Sequence, residues 1–405
     1  MTTVQRWTGH EACALRLALR LTVREFAERL GVAVRTVSKW EAGSAAIVPR
    51  PDTQSILDTA LGRADREVQQ RFEQLRERAP TRTATVPTVP QAGPDAPGAE
   101  SMELIRRIAV SDLGSNTLDQ LDEVVERLAV DYFTVSPTEF HRRVVTWRRY
   151  AMTLFDRRAT LRERSRLYAV AGRLTGLLAE VSLALGADAE VHCATALSLA
   201  QEIGHAGLAG WVRGTQAQVA LYTGDPREAV AFAQAGSEVA PAGSAALVRC
   251  HAYLARASAR CGERRATQAA LTAAECAWQA TTQATTPSIF SLSPSYLPYC
   301  ATTAFVWLGD PGSARTWADQ AINTPGSITQ PTVGRAIAHL DLAIALAQSA
   351  EPEEASAVGT EAIHICANRL TIPARRRFDE LLAALDPFTE PYVVELRERW
   401  QWIST

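Results

Sequence analysis

Apolar residues along most of this chain recur at spacings of three and four, the period of one helix face. Leu118, Leu121, Val124, Val125 and Leu128 make one such face, and Phe140, Val144, Val145 and Trp147 open another. From Ser101 onward no alternating strand pattern of any length occurs, and Ala, Leu, Arg and Glu dominate. The pattern predicts an all-α chain.

Nearer the N-terminus the elements are shorter. Thr22 stands three residues before Glu25, the spacing of a capping box. Phe26, Ala27 and Leu30 then face inward, and Gly31 stops the helix and supplies a turn. Val32 is an apolar plug, and a second short helix runs to Ala42, ended by Gly43. Val37 and Trp40, three apart, pack against Phe26 and Leu30, which makes Trp40 a core residue. Two short helices joined by a tight Gly turn form a helix-turn-helix. Beyond it, Ile56, Leu57 and Leu61 are expected to close a small core. The Glu/Arg-rich stretch up to Arg78 reads as a solvated face, with a dimer helix as the other reading.

Residues 79–100 break the helical pattern. Five of these 22 residues are Pro, and Val is the largest apolar side chain among them. Such a composition makes a linker that reaches roughly 70 Å at about 3.1 Å per residue. The expected domains are therefore a head over 1–78, a linker over 79–100 and a helical body over 101–405.

The body carries a repeat. Five junctions align: GADAEV from Gly186, GDPREA from Gly224, CGERRA from Cys261, GDPGSA from Gly309 and AEPEEA from Ala350, at spacings of 38, 37, 48 and 41. Their sixth residues are Val191, Ala229, Ala266, Ala314 and Ala355. Seven residues on stand Ser198, Gly236, Ala273, Ala321 and Ala362. All ten are small or β-branched, and a step of seven returns to the same helix face. Small side chains there let a neighbouring helix approach closely. Over roughly residues 165–370 this resembles the tetratricopeptide repeat, in a degenerate form whose spacing exceeds 34 residues. The resemblance implies an α-solenoid, with Leu381 to Trp402 as its closing segment.

The head resembles the Cro/repressor-like (XRE-type) helix-turn-helix. The matching residues are Thr22, Glu25, Phe26, Ala27, Leu30, Gly31, Val32, Thr36, Val37, Ser38, Trp40, Glu41 and Gly43. Ala33 departs from the family pattern, which has a capping Ser there, and Phe26 replaces Leu. The resemblance implies that the second helix lies in the major groove with its N-terminal residues at base edges. These are Val34, Arg35, Ser38 and Lys39. Arg35 suits a bidentate contact to guanine or a phosphate contact, Val34 a thymine methyl, and Lys39 base or phosphate. Thr22 with the amides that follow it, Arg24 and Thr36 are the phosphate candidates. Such heads act in pairs on half-sites about one helical turn apart, so the implied partners are a pseudo-palindromic DNA duplex and a second copy of the chain.

Charge agrees with this division. The 405 residues carry a net charge of −2. Residues 1–80 hold 13 basic and 10 acidic side chains, or +3, which leaves −5 for the rest. Lys39 is the single lysine among 42 basic residues, so neither a Walker A loop nor a Schiff-base enzyme can be built elsewhere. No GxSxG, HExxH or GxGxxG motif occurs. The expectation is a non-enzyme without metal or cofactor. Seven Cys residues without a CxxC pair read as buried thiols of a reducing cytoplasm. No signal segment or membrane span is expected; the longest uncharged stretch, Cys276 to Gly309, is broken by Pro287, Pro294 and Pro298.

That stretch contains TTPSIFSLSPSYLPYC, where the repeat spacing is about ten residues longer than in the first two repeats. Phe290, Tyr296 and Tyr299 in it are candidates to line a mostly apolar pocket on the concave side, with Arg249, His251 and Arg256 before it and Arg335 and His339 after it. The other reading is an inter-repeat plug. The two-part layout resembles peptide-pheromone-responsive regulators of Gram-positive bacteria and a broad set of actinobacterial regulators. It implies a DNA-binding regulator whose body dimerises and senses a peptide or small molecule. The alternative is an adaptor that recruits a protein partner.

Overall fold

The computed structural model describes residues 4, 6–43, 47–77, 111–113, 115–282, 286–324, 333–366 and 369–404. The chain divides into two compact units, Met1–Gly93 and Pro94–Thr405. The proposed linker, 79–100, lies outside the described residues. Among the described residues there are nineteen helices and no strand.

The first unit contains α1 (Gly9–Ala18), α2 (Val23–Leu30), α3 (Val34–Gly43), α4 (Pro51–Gly62) and α5 (Arg66–Glu77). Two capping boxes set where helices begin: Thr8 with Glu11 starts α1, and Thr22 with Glu25 starts α2. Each reciprocal pair satisfies amides that a helix start leaves without partners. Gly31 closes α2 at φ +66°, a left-handed conformation that costs Gly little and a β-carbon more.

Phe26, Ala27, Leu30, Val37 and Trp40 are buried in one cluster with Trp7, Leu15, Leu57, Leu61, Val68 and Phe72. Two expectations change here. Ile56 is 39% exposed, so Leu57 and Leu61 face the core without it. The Glu/Arg-rich helix α5 is not wholly a solvated face. Val68 and Phe72, one turn apart, are buried, and the Phe72 ring lies 5.8 Å from that of Trp7. Trp7 also donates its indole N–H to Asp58 on α4 at 2.7 Å. The Arg and Glu side chains dominate the composition of α5 and hide an apolar edge of Val68, Phe72 and the half-buried Leu75.

The second unit opens with α6 (Ser115–Asp131) and α7 (Pro137–Thr153), which pack on α8 (Leu161–Leu185). Helical hairpins follow: α8 with α9 (Glu190–Glu202), α10 (Ala206–Thr223) with α11 (Pro226–Val239), α12 (Ala245–Arg260) with α13 (Arg264–Gln279), α14 (Tyr296–Trp307) with α15 (Pro311–Asn323), and α16 (Val333–Gln348) with α17 (Pro352–Cys366). The chain then forms α18 (Ile372–Ala384) and α19 (Pro391–Ser404). Consecutive helices pack on each other through the hairpins. The even-numbered helices from α8 to α18 also pack on one another in sequence, as an inner layer. This is an α-solenoid. Its last inner helix returns to the first: α18 touches α8, and a β-carbon on Gly186 would lie 3.0 Å from Ile372. The inner layer thus curls round on itself. Helix α8 is long and apolar enough to cross a membrane, but 83% of its apolar window is buried inside this unit.

Small residues carry the packing where expected, with a change of register. Ala229, Ala314 and Ala355 are fully buried, and their partners seven residues on, Gly236, Ala321 and Ala362, are buried too. At Gly236 a β-carbon would meet Cys250 Sγ at 2.6 Å and Arg213 Cβ at 2.8 Å. Val191, Ser198 and Ala266 are exposed instead, and Ala273 is half-buried. The buried pairs in those hairpins are Cys193 with Ala200 and Thr267 with Ala274. The reason is the left-handed residue that precedes each second helix. Gly224, Gly309 and Ala350 take positive φ at the first position of their junctions, but in the third junction Gly262 does so, one residue later. At the first junction Gly186 is left-handed, yet α9 starts only at Glu190, two residues later than the others allow.

The thiols divide. Cys193, Cys250, Cys300 and Cys366 are buried, Cys13 and Cys261 are half-buried and Cys276 is exposed. Burial pushes the Cys193 and Cys250 thiols up to about 12 and those of Cys300 and Cys366 to about 11, so they stay protonated at neutral pH.

Candidate nucleic-acid interface and inner chamber

In the first unit the turn at Gly31 aims α3 so that Val37 and Trp40 face the core. The opposite face then follows from the helical period. Val34 is 47% exposed, and Arg35, Ser38 and Lys39 are exposed beside it, at the first two turns of α3. Thr36 is half-buried and Arg24 exposed. Ser38 is exposed and donates its hydroxyl to the Val34 carbonyl at 3.2 Å. The chemistry of this face is two cations, a hydroxyl and an apolar tip, the set that major-groove base edges accept.

Thr22 is differently placed from the other phosphate candidates. Its hydroxyl and its amide both donate to the Glu25 carboxylate at 2.8 Å, and the Glu25 amide donates to its hydroxyl at 3.2 Å. The hydrogen bonds from Thr22 hold the Glu25 carboxyl below its usual range. A phosphate approaching the start of α2 therefore meets a carboxylate already there, which repels it.

In the second unit the curled inner layer surrounds a chamber of about 440 Å³. Every inner helix contributes to the wall: Glu180 from α8, Tyr222 from α10, Arg249 and Tyr253 from α12, Tyr296 and Tyr299 from α14 and Arg335 from α16. Pro373 of α18, Arg369 and Thr371 just before it, Tyr132 just after α6, and Ala321 and Ile322 at the end of α15 also line it. Of the eight pocket candidates from sequence, four line the chamber: Arg249, Tyr296, Tyr299 and Arg335. Arg256, His251, Phe290 and His339 are outside the wall. Arg256 is fully buried one turn along α12, donating to Tyr222 Oη at 2.9 Å and Tyr299 Oη at 3.2 Å. Phe290 packs on Trp211, ring centroids 4.8 Å apart, with the Arg173 guanidinium 4.7 Å from its other face.

The uncharged loop before α14 combines both roles considered for it. The Ile289 amide donates to the Ala129 carbonyl at 3.1 Å, and its own carbonyl accepts from the Trp211 indole at 3.3 Å, which ties the loop into the core. Ile289 and Leu292 are buried and still reach the chamber wall.

Charges in the inner layer are held by partners far away in sequence. Arg249 pairs with Glu180, both almost fully buried, and also donates to Gln218 at 2.9 Å. Burial works against the Arg249 charge, but Glu180 beside it carries its pKa above the ordinary value. Arg377 pairs with Asp341 and Glu380, and Glu380 accepts from the Trp307 indole at 3.0 Å. Burial raises the Tyr296 and Tyr299 phenols well above their ordinary range, so both present neutral hydroxyls. Among the described residues no group of three His, Cys, Asp or Glu side chains is placed to hold a metal ion.

Sequence reasoning missed Arg369, Glu180, Tyr132, Tyr222 and Tyr253. Nothing local marks them, because the wall is assembled from segments between residues 132 and 373.

Residues 14–62, from the middle of α1 to the end of α4, match the family described as Helix-turn-helix. No curated protein matches the chain. With the exposed face of α3, the match makes the first unit a helix-turn-helix DNA-binding domain of the kind that serves transcription regulation.

Proposed function

We propose that this chain is a sequence-specific transcription regulator that works in the cytoplasm without catalysis. Its head reads an operator, and its helical body pairs two copies and senses a small ligand. The observation that carries the reading is the exposed N-terminal face of α3, with Val34, Arg35, Ser38 and Lys39 turned away from a core that Val37 and Trp40 close. A helix docked in the major groove presents those positions to base edges, while Arg24 and Thr36 lie where phosphates pass. The stacked helical hairpins and the inner chamber support the reading of the body as a tetratricopeptide-like sensor. The chamber volume falls within the roughly 300–1,000 Å³ of small-molecule sites, and a curled inner layer favours a small molecule over a long peptide. A ligand there acts by binding one arrangement of the pair better than another.

The test is selection of duplexes from a randomised DNA pool by the purified full chain. Enrichment of two half-sites about one helical turn apart supports a paired reader. Enrichment of a single half-site removes the pairing. No enrichment by the full chain or by residues 1–80 removes the DNA-reading role.

A further inference from the structure

The chamber wall holds more arginines than carboxylates. It presents three arginines, Arg249, Arg335 and Arg369, and one carboxylate, Glu180. Glu180 is already engaged, because it accepts from Arg249 and from Thr215 Oγ1 at 2.8 Å. Arg369 is in a different position. It is 9% exposed, its Nη1 donates to the Val135 carbonyl at 2.8 Å, and its guanidinium lies 5.0 Å from the centre of the Tyr132 ring. Its Nε, like those of Arg249, Arg256 and Arg377, is buried without a hydrogen-bond partner; what sets it apart from Arg249 and Arg377 is that among the described residues no carboxylate pairs with it. A guanidinium has five N–H donors in a planar fork, and among the described residues one protein acceptor, the Val135 carbonyl, meets this one. Burial pulls its pKa below the ordinary value, with only Tyr132 acting the other way. Arg249 and Arg377 each lie against a buried carboxylate, and Arg256, outside the chamber wall and with no carboxylate against it among the described residues, is instead met by the Tyr222 and Tyr299 hydroxyls. A buried cation without an anion is costly, and its cost is recovered when an anion arrives.

The rest of the wall specifies the body of the ligand. Tyr132, Tyr222, Tyr253, Tyr296 and Tyr299 supply flat apolar faces with hydroxyl rims, and Ile289, Leu292 and Leu183 are wholly apolar. We propose that the chamber takes a small organic anion, an oxyanion such as a carboxylate on an apolar or aromatic body, with Arg369 holding the charge and the tyrosine wall holding the body. This rests on the reading of the second unit as a sensor and names the chemistry of its ligand. Arg369 is the residue that decides between anion, neutral molecule and cation.

The experiment uses the full chain and three probes with one body: 4-phenylbutyrate, 4-phenylbutanol and 4-phenylbutylamine, each titrated calorimetrically. A charged hydrogen-bonded contact is worth about tenfold or more in affinity, so the carboxylate is expected to bind at least about tenfold more tightly than the alcohol, and the amine weakest. Arg369→Gln is expected to erase the advantage of the carboxylate over the alcohol. Arg369→Lys keeps the charge and is expected to retain part of it. Arg227→Gln, on the exposed start of α11, is the control and leaves the order unchanged. A far-UV melt of each variant separates lost binding from lost folding, and Arg369→Lys carries the test if Arg369→Gln unfolds. Equal binding of carboxylate and alcohol, or an advantage that survives Arg369→Gln in a folded variant, overturns the anion assignment and leaves a neutral sensor. Binding by none of the three up to millimolar concentration overturns the sensor reading itself.

Discussion

Phe72 tests whether the head extends beyond the 14–62 match to include α5. Its side chain is fully buried, lies 5.8 Å from the Trp7 ring and has the Arg76 guanidinium 5.9 Å from its own centre. Truncating such a residue to Ala costs about 3–5 kcal/mol, the transfer of the ring plus the cavity it leaves. A unit of roughly 70 residues has about 4–10 kcal/mol of stability in all, at about 0.05–0.15 kcal/mol per residue. Phe72→Ala therefore removes between a third and all of it. For a domain this size 1 kcal/mol is about 4–8 °C, so the midpoint falls by about 12 °C or more. The head core draws on residues between Val4 and Leu75, so residues 1–80 can be unfolded in isolation. Trp7 and Trp40 are both buried and report the transition by fluorescence. Gln70→Ala, exposed on the same helix, is expected to change stability by less than about 0.5 kcal/mol. If Phe72→Ala also stays within about 0.5 kcal/mol, α5 is not part of the folding unit and the assignment of the head core is wrong.

Three further outcomes follow from particular contacts. Glu25→Gln removes a carboxylate from the start of α2 and is expected to tighten binding to a random duplex by about twofold to fivefold, measured by fluorescence anisotropy at low salt; unchanged or weaker binding shows that no phosphate approaches there. Gly236→Ala is expected to destabilise the body by about 1–3 kcal/mol, because its β-carbon meets Cys250 Sγ and Arg213 Cβ below 3 Å; adding Cys250→Ala should recover part of the loss in a thermal melt. Burial holds His251 and His339 below the usual imidazole range, so both take up a proton less readily in the folded body than in the unfolded chain. Stability of the body is expected to be level above about pH 7 and to fall below about 6.5, as the unfolded chain takes up protons that the folded one resists. His339→Gln should flatten part of that fall in melts between pH 5.5 and 7.5, and an unchanged slope would clear His339 of the effect.

The head was legible because its signals are local. A capping box spans four residues, Gly31 sets its own turn, and Phe26, Leu30, Val37 and Trp40 fall within fifteen positions. What escaped was the second edge of the same core. Val68 and Phe72 are one turn apart in a run of Arg, Glu and Gln, and composition outweighed them. In the body, the repeat frame was readable where Gly-Asp-Pro fixed it and slipped where Cys261 stood in front of Gly262. The chamber was legible only in part. Tyr296 and Tyr299 announced themselves by their uncharged surroundings, but the curl that brings α18 to α8 depends on packing between helices nearly two hundred positions apart. Arg369 belongs to that closure. In sequence it is one arginine among many; that no carboxylate among the described residues pairs with it becomes visible only when the wall is assembled.

The most direct measurement compares Arg35→Ala with the unaltered chain on the selected operator and on a scrambled duplex of the same length, across a salt series. Arg35 is exposed at the second position of α3, so a base contact costs about 1–3 kcal/mol on the operator when removed and relaxes preference at one base pair. Binding to the scrambled duplex should change little. Equal loss on both duplexes, with a shallower salt dependence, would mean that α3 meets only the backbone and that this head does not read sequence through Arg35.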